Sequence, residues 1–306
     1  MARGLFTQGL VVLFNEVPTL DALAAKLPVA VLERTTSSER WEISGPSLVV
    51  ELDRARNGLV AIDVVSRPWP DDMGSPQESP TLFGAWSMGH FGPFAFPAGL
   101  ARATQHAYHW PESPRELAAA HRAFVRLRAS YAFGVPDDAP VIPEGVDPVR
   151  ELEQLLSLAR ALLDVKGATL LFVPGAELLF DAEQLDSRVE DARELERPAL
   201  DLWSNVRMFR LDARTLLMDT TGLALADRMD LEAVFPAEIP PGEVAGFLRN
   251  LSLYVLGAGD VLRVGNTVDG PGGVWVVLAH PNSKTEPPRP VVRLAPKGFA
   301  PPGFFE

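Results

Sequence analysis

Apolar residues along this chain fall into short strand-length runs and helical stripes, with one long stretch between them that supports neither. Leu10 to Phe14 is a strand-length run, and Thr19 and Asp21 behind Pro18 open a short helical pattern of Leu20, Leu23, Ala24 and Leu27 that Pro28 stops. Runs over 47–52 and 59–65 flank Asp53-Arg54-Ala55-Arg56-Asn57-Gly58, whose Asn-Gly pair tolerates positive φ and predicts a hairpin. A helix is expected over 99–110, with Pro97 near its start and Pro111 past its end, followed by an alternating strand over 123–131.

The stretch between them, residues 66–98, contains Pro68, Pro70, Pro76, Pro80, Pro93 and Pro97 together with Gly74, Gly84, Gly89 and Gly92, a density that argues against helix and central strand. It also carries Trp69, Phe83, Trp86, Phe91, Phe94 and Phe96, and disordered segments are poor in such rings. An ordered, aromatic-anchored lid or recognition loop is therefore expected.

Asp147 as N-cap and Pro148 at the first helical position begin a helix whose Leu152, Leu155, Leu156, Ala159, Leu162 and Leu163 make a continuous stripe down to Asp164. A strand follows over 169–173. A helix is then expected over 181–196, with Leu185, Val189 and Ala192 inward and seven acids and two arginines facing water. Strands are expected over 206–211, 215–220, 261–264, 274–278 and 291–294, with a helix over 242–256. Leu52-Asp53-Arg54-Ala55-Arg56 before a strand containing Asp63 is echoed by Leu211-Asp212-Ala213-Arg214 before one containing Asp219.

Strand–helix–strand–strand–helix–strand occurs twice in this sequence of elements, which predicts an α+β fold of two tandem ferredoxin-like (βαββαβ) halves, each antiparallel sheet covered by helices. The first half spans 1–134 with its aromatic loop 66–98. A linker and connecting helix span 135–167, the second half 168–296, and a tail 297–306.

The 306 residues include 40 acidic and 28 basic side chains, a net charge of −12 that repels nucleic acid and suits a basic protein partner. No cysteine is present, which excludes disulfides, thiol nucleophiles and thiolate metal sites and fits a reducing compartment. Met1 to Phe14 lacks the marks of a secretory signal, and no apolar run approaches membrane-spanning length. A cytoplasmic protein without membrane association is expected.

Candidate chemistry is sparse. His106 and His109 share a helix face, with His90 and His121 nearby, but no carboxylate stands at a metal-site spacing with them. Packing under the loop accounts for them, and no metal or cofactor is expected. Met218-Asp219-Thr220-Thr221-Gly222 resembles an aspartic-protease turn but has an extra threonine and no second copy, so a strand end followed by a turn is the better description. Gly257-Ala258-Gly259 follows a helix and lacks the third glycine of a dinucleotide fingerprint. Arg126, Arg128, Arg207 and Arg210 on strands could pair with nearby acids or line an anion groove.

Trp86 through Gly92-Pro93-Phe94-Ala95, His121 to Tyr131, Leu202 to Arg207, Met218-Asp219-Thr220, and Asn250 to Trp275 with Pro287-Pro288-Arg289-Pro290 resemble the bacterial domain-of-unknown-function family DUF4261. The likeness covers most of residues 80–295 and is strongest near the carboxyl end. It implies a soluble bacterial protein and brings no catalytic residue with it.

The favoured expectation is a non-enzymatic binding protein, an immunity or adaptor protein engaging a basic partner such as a secreted toxin, with self-association into a homodimer also open. The contact residues expected are Trp69, Asp71, Asp72, Trp86, His90 and Phe91, and Trp86→Ala should then weaken a complex with little change in melting temperature. The alternatives are a hydrolase or metal-dependent enzyme with a pocket under loop 66–98, using His90, His106 or His109, and a structural component of a larger assembly.

Overall fold

A computed structural model describes residues 5–36, 45–105, 114–136, 138–279 and 281–300. In chain order the elements are β1 (Gln8–Phe14), α1 (Leu20–Ala24), β2 (Val31–Thr35), β3 (Ser47–Asp53), β4 (Gly58–Val65), α2 (Pro80–Ser87), α3 (Gly99–Gln105), α4 (Pro114–Ala120) and β5 (Ala123–Ser130). Then follow α5 (Pro148–Leu163), β6 (Ala168–Val173), β7 (Leu178–Phe180), α6 (Ala182–Glu194), β8 (Asn205–Arg210), β9 (Thr215–Thr221), β10 (Asp230–Pro236), α7 (Pro241–Ala258), β11 (Thr267–Gly270), β12 (Gly273–Ala279) and β13 (Val291–Pro296). No helix among the described residues is long and apolar enough to cross a membrane.

The fold is α+β, built on two sheets. The first is antiparallel throughout, in the order β2-β3-β4-β5-β1-β6-β7, and the second runs β11-β12-β13-β10-β9-β8 with β10 and β13 parallel. This order does not confirm two tandem ferredoxin-like halves. In the first sheet β5 lies between β4 and β1, and β6, expected in the second half, extends the sheet beyond β1 together with the unexpected β7. The physical reason is visible in β1, whose two pairing edges are taken by β5 and β6, so none is left for β4, which a ferredoxin-like half would set beside it.

Alternation assigns the two faces of the first sheet. Leu10, Val12, Ile62, Val125 and Leu171 cluster with Leu152, Leu155, Ala159 and Leu162 of α5, which lies across β1 and β6 and reaches the short 3-10 turn Leu223–Ala226. The same apolar cluster continues through Leu223 and Leu225 into the second sheet, where Val206, Met218, Leu231 and Phe235 meet Val244, Leu248 and Val255 of α7. The opposite face of the first sheet buries Val11, Leu13, Phe124 and Phe172 under Trp69, Trp86, Phe91 and Leu100.

Residues 66–98 are thus ordered and ring-anchored, though not free of helix. Pro80 sits at the first turn of α2, where its missing N–H costs nothing and its fixed φ suits helix entry, and Gly84 is accommodated inside. Other differences have similarly local causes. Residues 261–264 form no strand: Val264 is 62% exposed, and β11 starts three residues later to pair with β12 around Pro271-Gly272. β10 escaped notice because Asp230 and Glu232 give a core strand a polar reading. β2, β7 and α4 are short or irregular in pattern. The helix from Gly99 is described to Gln105, and its remaining expected turns, with His106 and His109, lie outside the described residues.

The echoed motifs occupy equivalent hairpins. Asp53 accepts from the N–H of Ala55 (3.0 Å) between β3 and β4, and Asp212 accepts from the N–H of Arg214 (2.7 Å) between β8 and β9. The second strand of each hairpin carries a buried aspartate, Asp63 or Asp219.

Trp69 stands edge-on to Trp86, Phe91, Phe124 and Phe172 at centroid distances of 5.2–5.8 Å. Its replacement by alanine is expected to cost about 3–5 kcal/mol in denaturant unfolding. A loss below about 1 kcal/mol would mean that the rings do not hold the segment.

Candidate functional site

Two buried clusters of charge hold the irregular parts of the molecule to the two sheets. On the aromatic-covered face of the first sheet, Asp63 of β4 is opposite Arg126 of β5 in register, and Arg126 Nε meets its carboxylate at 3.0 Å. Arg128, two residues along and so on the same face, reaches the other carboxylate oxygen at 3.1 Å. Both guanidiniums also donate to the His90 carbonyl, each at 3.1 Å. Here the aromatic segment crosses β1 so closely that a Cβ on Gly9 would lie 3.0 Å from the Gly92 Cα, and Gly92 has φ +112°.

Burial opposes ionisation of Asp63, but Arg126 and Arg128 outweigh it and keep the carboxyl below its usual range. Arg128, largely buried over the Phe6 ring at 4.2 Å, is lowered to about 10 by burial despite Asp63.

The expected contact residues divide by exposure. Trp69, Trp86 and Phe91 are all buried among Phe124, Leu100 and Phe172. Asp71 caps α3 from a distance, accepting at 2.8 Å from the N–H groups of Leu100 and Ala101, and burial raises its pKa against those bonds. Asp72 is exposed, accepting from Gly74 N–H at 2.8 Å. His90 is half-buried, with its ring pKa lowered by burial and by Arg128 and Arg126. His121 is buried elsewhere: its Nε2 accepts from the Trp69 N–H at 2.7 Å, its Nδ1 faces the Ala118 carbonyl, and burial lowers its pKa. The described residues contain no group of three or more histidine, aspartate or glutamate side chains placed to hold a metal ion.

The second cluster is larger. Arg207, Asp219, Glu232 and Arg293 are register partners across β8, β9, β10 and β13, so the four side chains form one row on the face away from α7. Arg207 and Asp219 form a fork-on-fork pair at 3.0 and 2.7 Å. Arg289 adds a bond to Asp219 at 2.7 Å and one to Asp230 at 3.2 Å. Residues 281–290 lie across this row as a strap: Thr285 bonds to Asp219, the Glu286 carbonyl accepts from Arg207 at 2.7 Å, and the Lys284 N–H donates to Glu232 at 2.9 Å.

Glu177, just before β7, ties this second cluster to α3. Its carboxylate takes Arg207 Nη1 at 2.9 Å and Arg102 Nε of α3 at 2.7 Å, and its carbonyl accepts from Asn205 at 3.1 Å. Burial raises Glu177 against the pull of Arg207 and Arg102, and raises Asp230 against Arg289. Asp219, where burial is outweighed by Arg207 and Arg289, is held low.

Carboxyls with divergent pKa values are the raw material of acid–base catalysis. Here, however, Arg207, Asp219, Glu232, Asp230 and Glu177 are all buried and engaged with one another or with the strap, so the cluster acts as an internal brace. Arg126, Arg128 and Arg207, candidates for an anion groove, have their forks filled by Asp63, Asp219 and Glu177, while Arg210 is exposed. Sequence reasoning passed over Glu177, Asp230, Glu232, Arg289 and Arg293. The available signal was charge placed inside apolar strands, as in Val291-Val292-Arg293-Leu294.

Residues 219–295, from the central aspartate to the strand that closes the row, match the model of a family described as domain of unknown function DUF4261. The likeness to DUF4261 rests on this carboxyl-terminal segment. Neither the curated proteins nor the solved structures contain a match to the chain. The matched segment contains Asp219, the strap, Asp230, Glu232, Arg289 and Arg293, but not Arg207, which pairs with Asp219 and the strap, nor Glu177, which pairs with Arg207.

Asp219→Asn leaves Arg207 and Arg289 buried beside a neutral amide, and a loss of about 3–5 kcal/mol is expected in urea unfolding. A change within about 0.5 kcal/mol would refute the brace. His121 gives a prediction in pH. Its folded pKa lies below the ordinary 6.5, so its contribution is complete above that value and is lost as pH falls through 6.5 toward the folded pKa. Stability measured from pH 7 to 5 should decline less steeply in His121→Gln, and equal slopes would count against the buried neutral ring.

Proposed function

We propose that this is a non-enzymatic protein-binding protein whose partner is basic, an immunity or adaptor protein acting in the cytoplasm against a basic toxin being the form that fits best. What supports the reading is how charge is divided between interior and surface. Arg102, Arg126, Arg128, Arg207, Arg289 and Arg293 are held inside by Asp63, Glu177, Asp219, Asp230 and Glu232. With Glu151 also buried, six cations face six carboxylates in the interior, so the net charge of −12 falls on the remainder of the chain. An acidic exterior of that size speeds and orients encounter with a basic surface.

The rings expected as contacts serve this reading indirectly. Trp69, Trp86 and Phe91 anchor the aromatic segment from below, and its outward residues, among them Asp72 and the 60% exposed Met88, are presented on a fixed backbone. Rigid presentation lowers the ordering cost of association.

The test mixes the purified chain with the purified product of each neighbouring gene and follows complex formation by size exclusion with light scattering. A stoichiometric complex with a basic protein is expected, weakening about tenfold or more between about 50 and about 300 mM salt. A complex indifferent to salt, or absence of any complex with basic candidates, would overturn the proposal.

A further inference from the structure

The edge of a sheet templates a further strand unless a bulge, a proline or a charge blunts it. Three of the four edges here are defended. β2 is bulged between Val31 and Glu33, β7 is three residues long and buried, and β8 abuts Glu177 of the first sheet through Asn205 and Arg207. β11, short at four residues, has no register shift against β12, no proline and no cation. Its free groups can be located. The Val277 N–H donates to the Asn266 carbonyl at 2.9 Å just before the strand, and antiparallel bonding alternates, so Val268 and Gly270 are the β11 residues bonded to Trp275 and Gly273. The N–H and C=O groups of Thr267 and Asp269 therefore point away from the sheet. Both residues are exposed, and among the described residues nothing takes these groups.

We propose that β11 pairs with β11 of a second copy of this chain, antiparallel about a two-fold axis, so that the two six-stranded sheets join edge to edge. The occupant follows from register. Bonds form only where an outward residue of one copy opposes an outward residue of the other, which leaves Thr267 and Asp269 as the choices. Asp269 against the partner subunit's Asp269 would oppose like charges, and Thr267 against the partner subunit's Thr267 would leave Asp269 unmatched. Thr267 against the partner subunit's Asp269, and the reverse, uses every outward group and lets each threonine hydroxyl donate to a carboxylate. Val268, packed on the core side, then meets its own copy at the centre. A second observation lies beside this edge. Tyr254, Val261, Val264, Val274 and Leu278, all large apolar side chains left exposed, fall between the end of α7 and the end of β12. Tyr254 is two turns beyond Phe247, whose ring lies 5.0 Å from that of Trp275, so it stands on the flank of α7 turned to the hairpin. Apolar surface gathered beside an unpaired edge is the mark of an association surface.

Salt separates this pairing from the binding of a basic partner. Two copies that each carry −12 repel one another, and screening relieves the repulsion. Sedimentation equilibrium of the purified chain from about 1 µM to about 1 mM is expected to show the mass doubling, at lower concentration in about 300 mM than in about 50 mM salt. Thr267→Asp sets a carboxylate against Asp269 in both pairs and should weaken the dimer about tenfold or more. The position is exposed, so the melting temperature of the dilute chain should not change. Thr267→Asp combined with Asp269→Lys opposes unlike charges in the same register and should regain the dimer, now weakened by salt. A chain monomeric throughout the range, a dimer indifferent to Thr267→Asp, or one that the double variant fails to restore would each overturn the edge pairing. If the chain stays monomeric yet forms a salt-weakened complex with a basic gene product, the edge is refuted and the binding role stands.

Discussion

Arg207 is completely enclosed, and a guanidinium in that position has to find acceptors for its whole fork or the fold bears the cost of a bare charge. It finds two carboxylates, a carbonyl and a hydroxyl: Asp219 on the neighbouring strand, Glu177 from the other sheet, and Glu286 and Thr285 from the strap. Four chain segments distant in sequence therefore meet on one planar cation. The apolar core alone would leave the relative placement of these segments loosely specified, because hydrophobic attraction has no direction. The fork of arginine does have direction, and it fixes where the second sheet, the strap and the β6–β7 turn stand relative to one another.

The same device recurs on the first sheet with different partners. Arg126 and Arg128 share Asp63 and hold the His90 carbonyl, so an irregular aromatic segment is tied down by its backbone there as it is by its rings elsewhere. In both sheets the unpaired polar groups of a proline-rich crossing are met by arginines rising from a strand, which answers the requirement that buried backbone groups be bonded. What is left outside is a set of exposed acids, fixed loops, and a groove beside α6, whose buried residues are Leu185 and Ala192.

Much of the fold was legible because its signals are local. Asp147-Pro148 and the leucines that follow marked α5 to within a residue, and Asn57-Gly58 marked the β3–β4 hairpin, with Asn57 in the left-handed region. Sheet order was not legible, since nothing in Leu10 to Phe14 says that β5 will lie on one side and β6 on the other; pairing of distant strands is decided by the whole core. The brace was hidden for a related reason. Glu232 and Arg293 each look like a residue that should face water, and only the alignment of four strands joins them with Arg207 and Asp219 in a neutral row. The aromatic segment was correctly read as ordered, and its rings were expected at a contact surface because the sequence does not tell an anchor turned inward from one turned outward.

The brace also sets the limits within which the chain can be cut. Residues 219–295 begin at Asp219 itself and leave β8, α5 and the Glu177 turn behind. An excised fragment with those limits would retain Asp219 without Arg207, keep only residues 219–221 of β9, and lose the leucines of α5 that the 3-10 turn at Leu223–Ala226 rests on. The stretch that sequence comparison delineates is thus smaller than the unit that can stand alone, and autonomy belongs to the two sheets together.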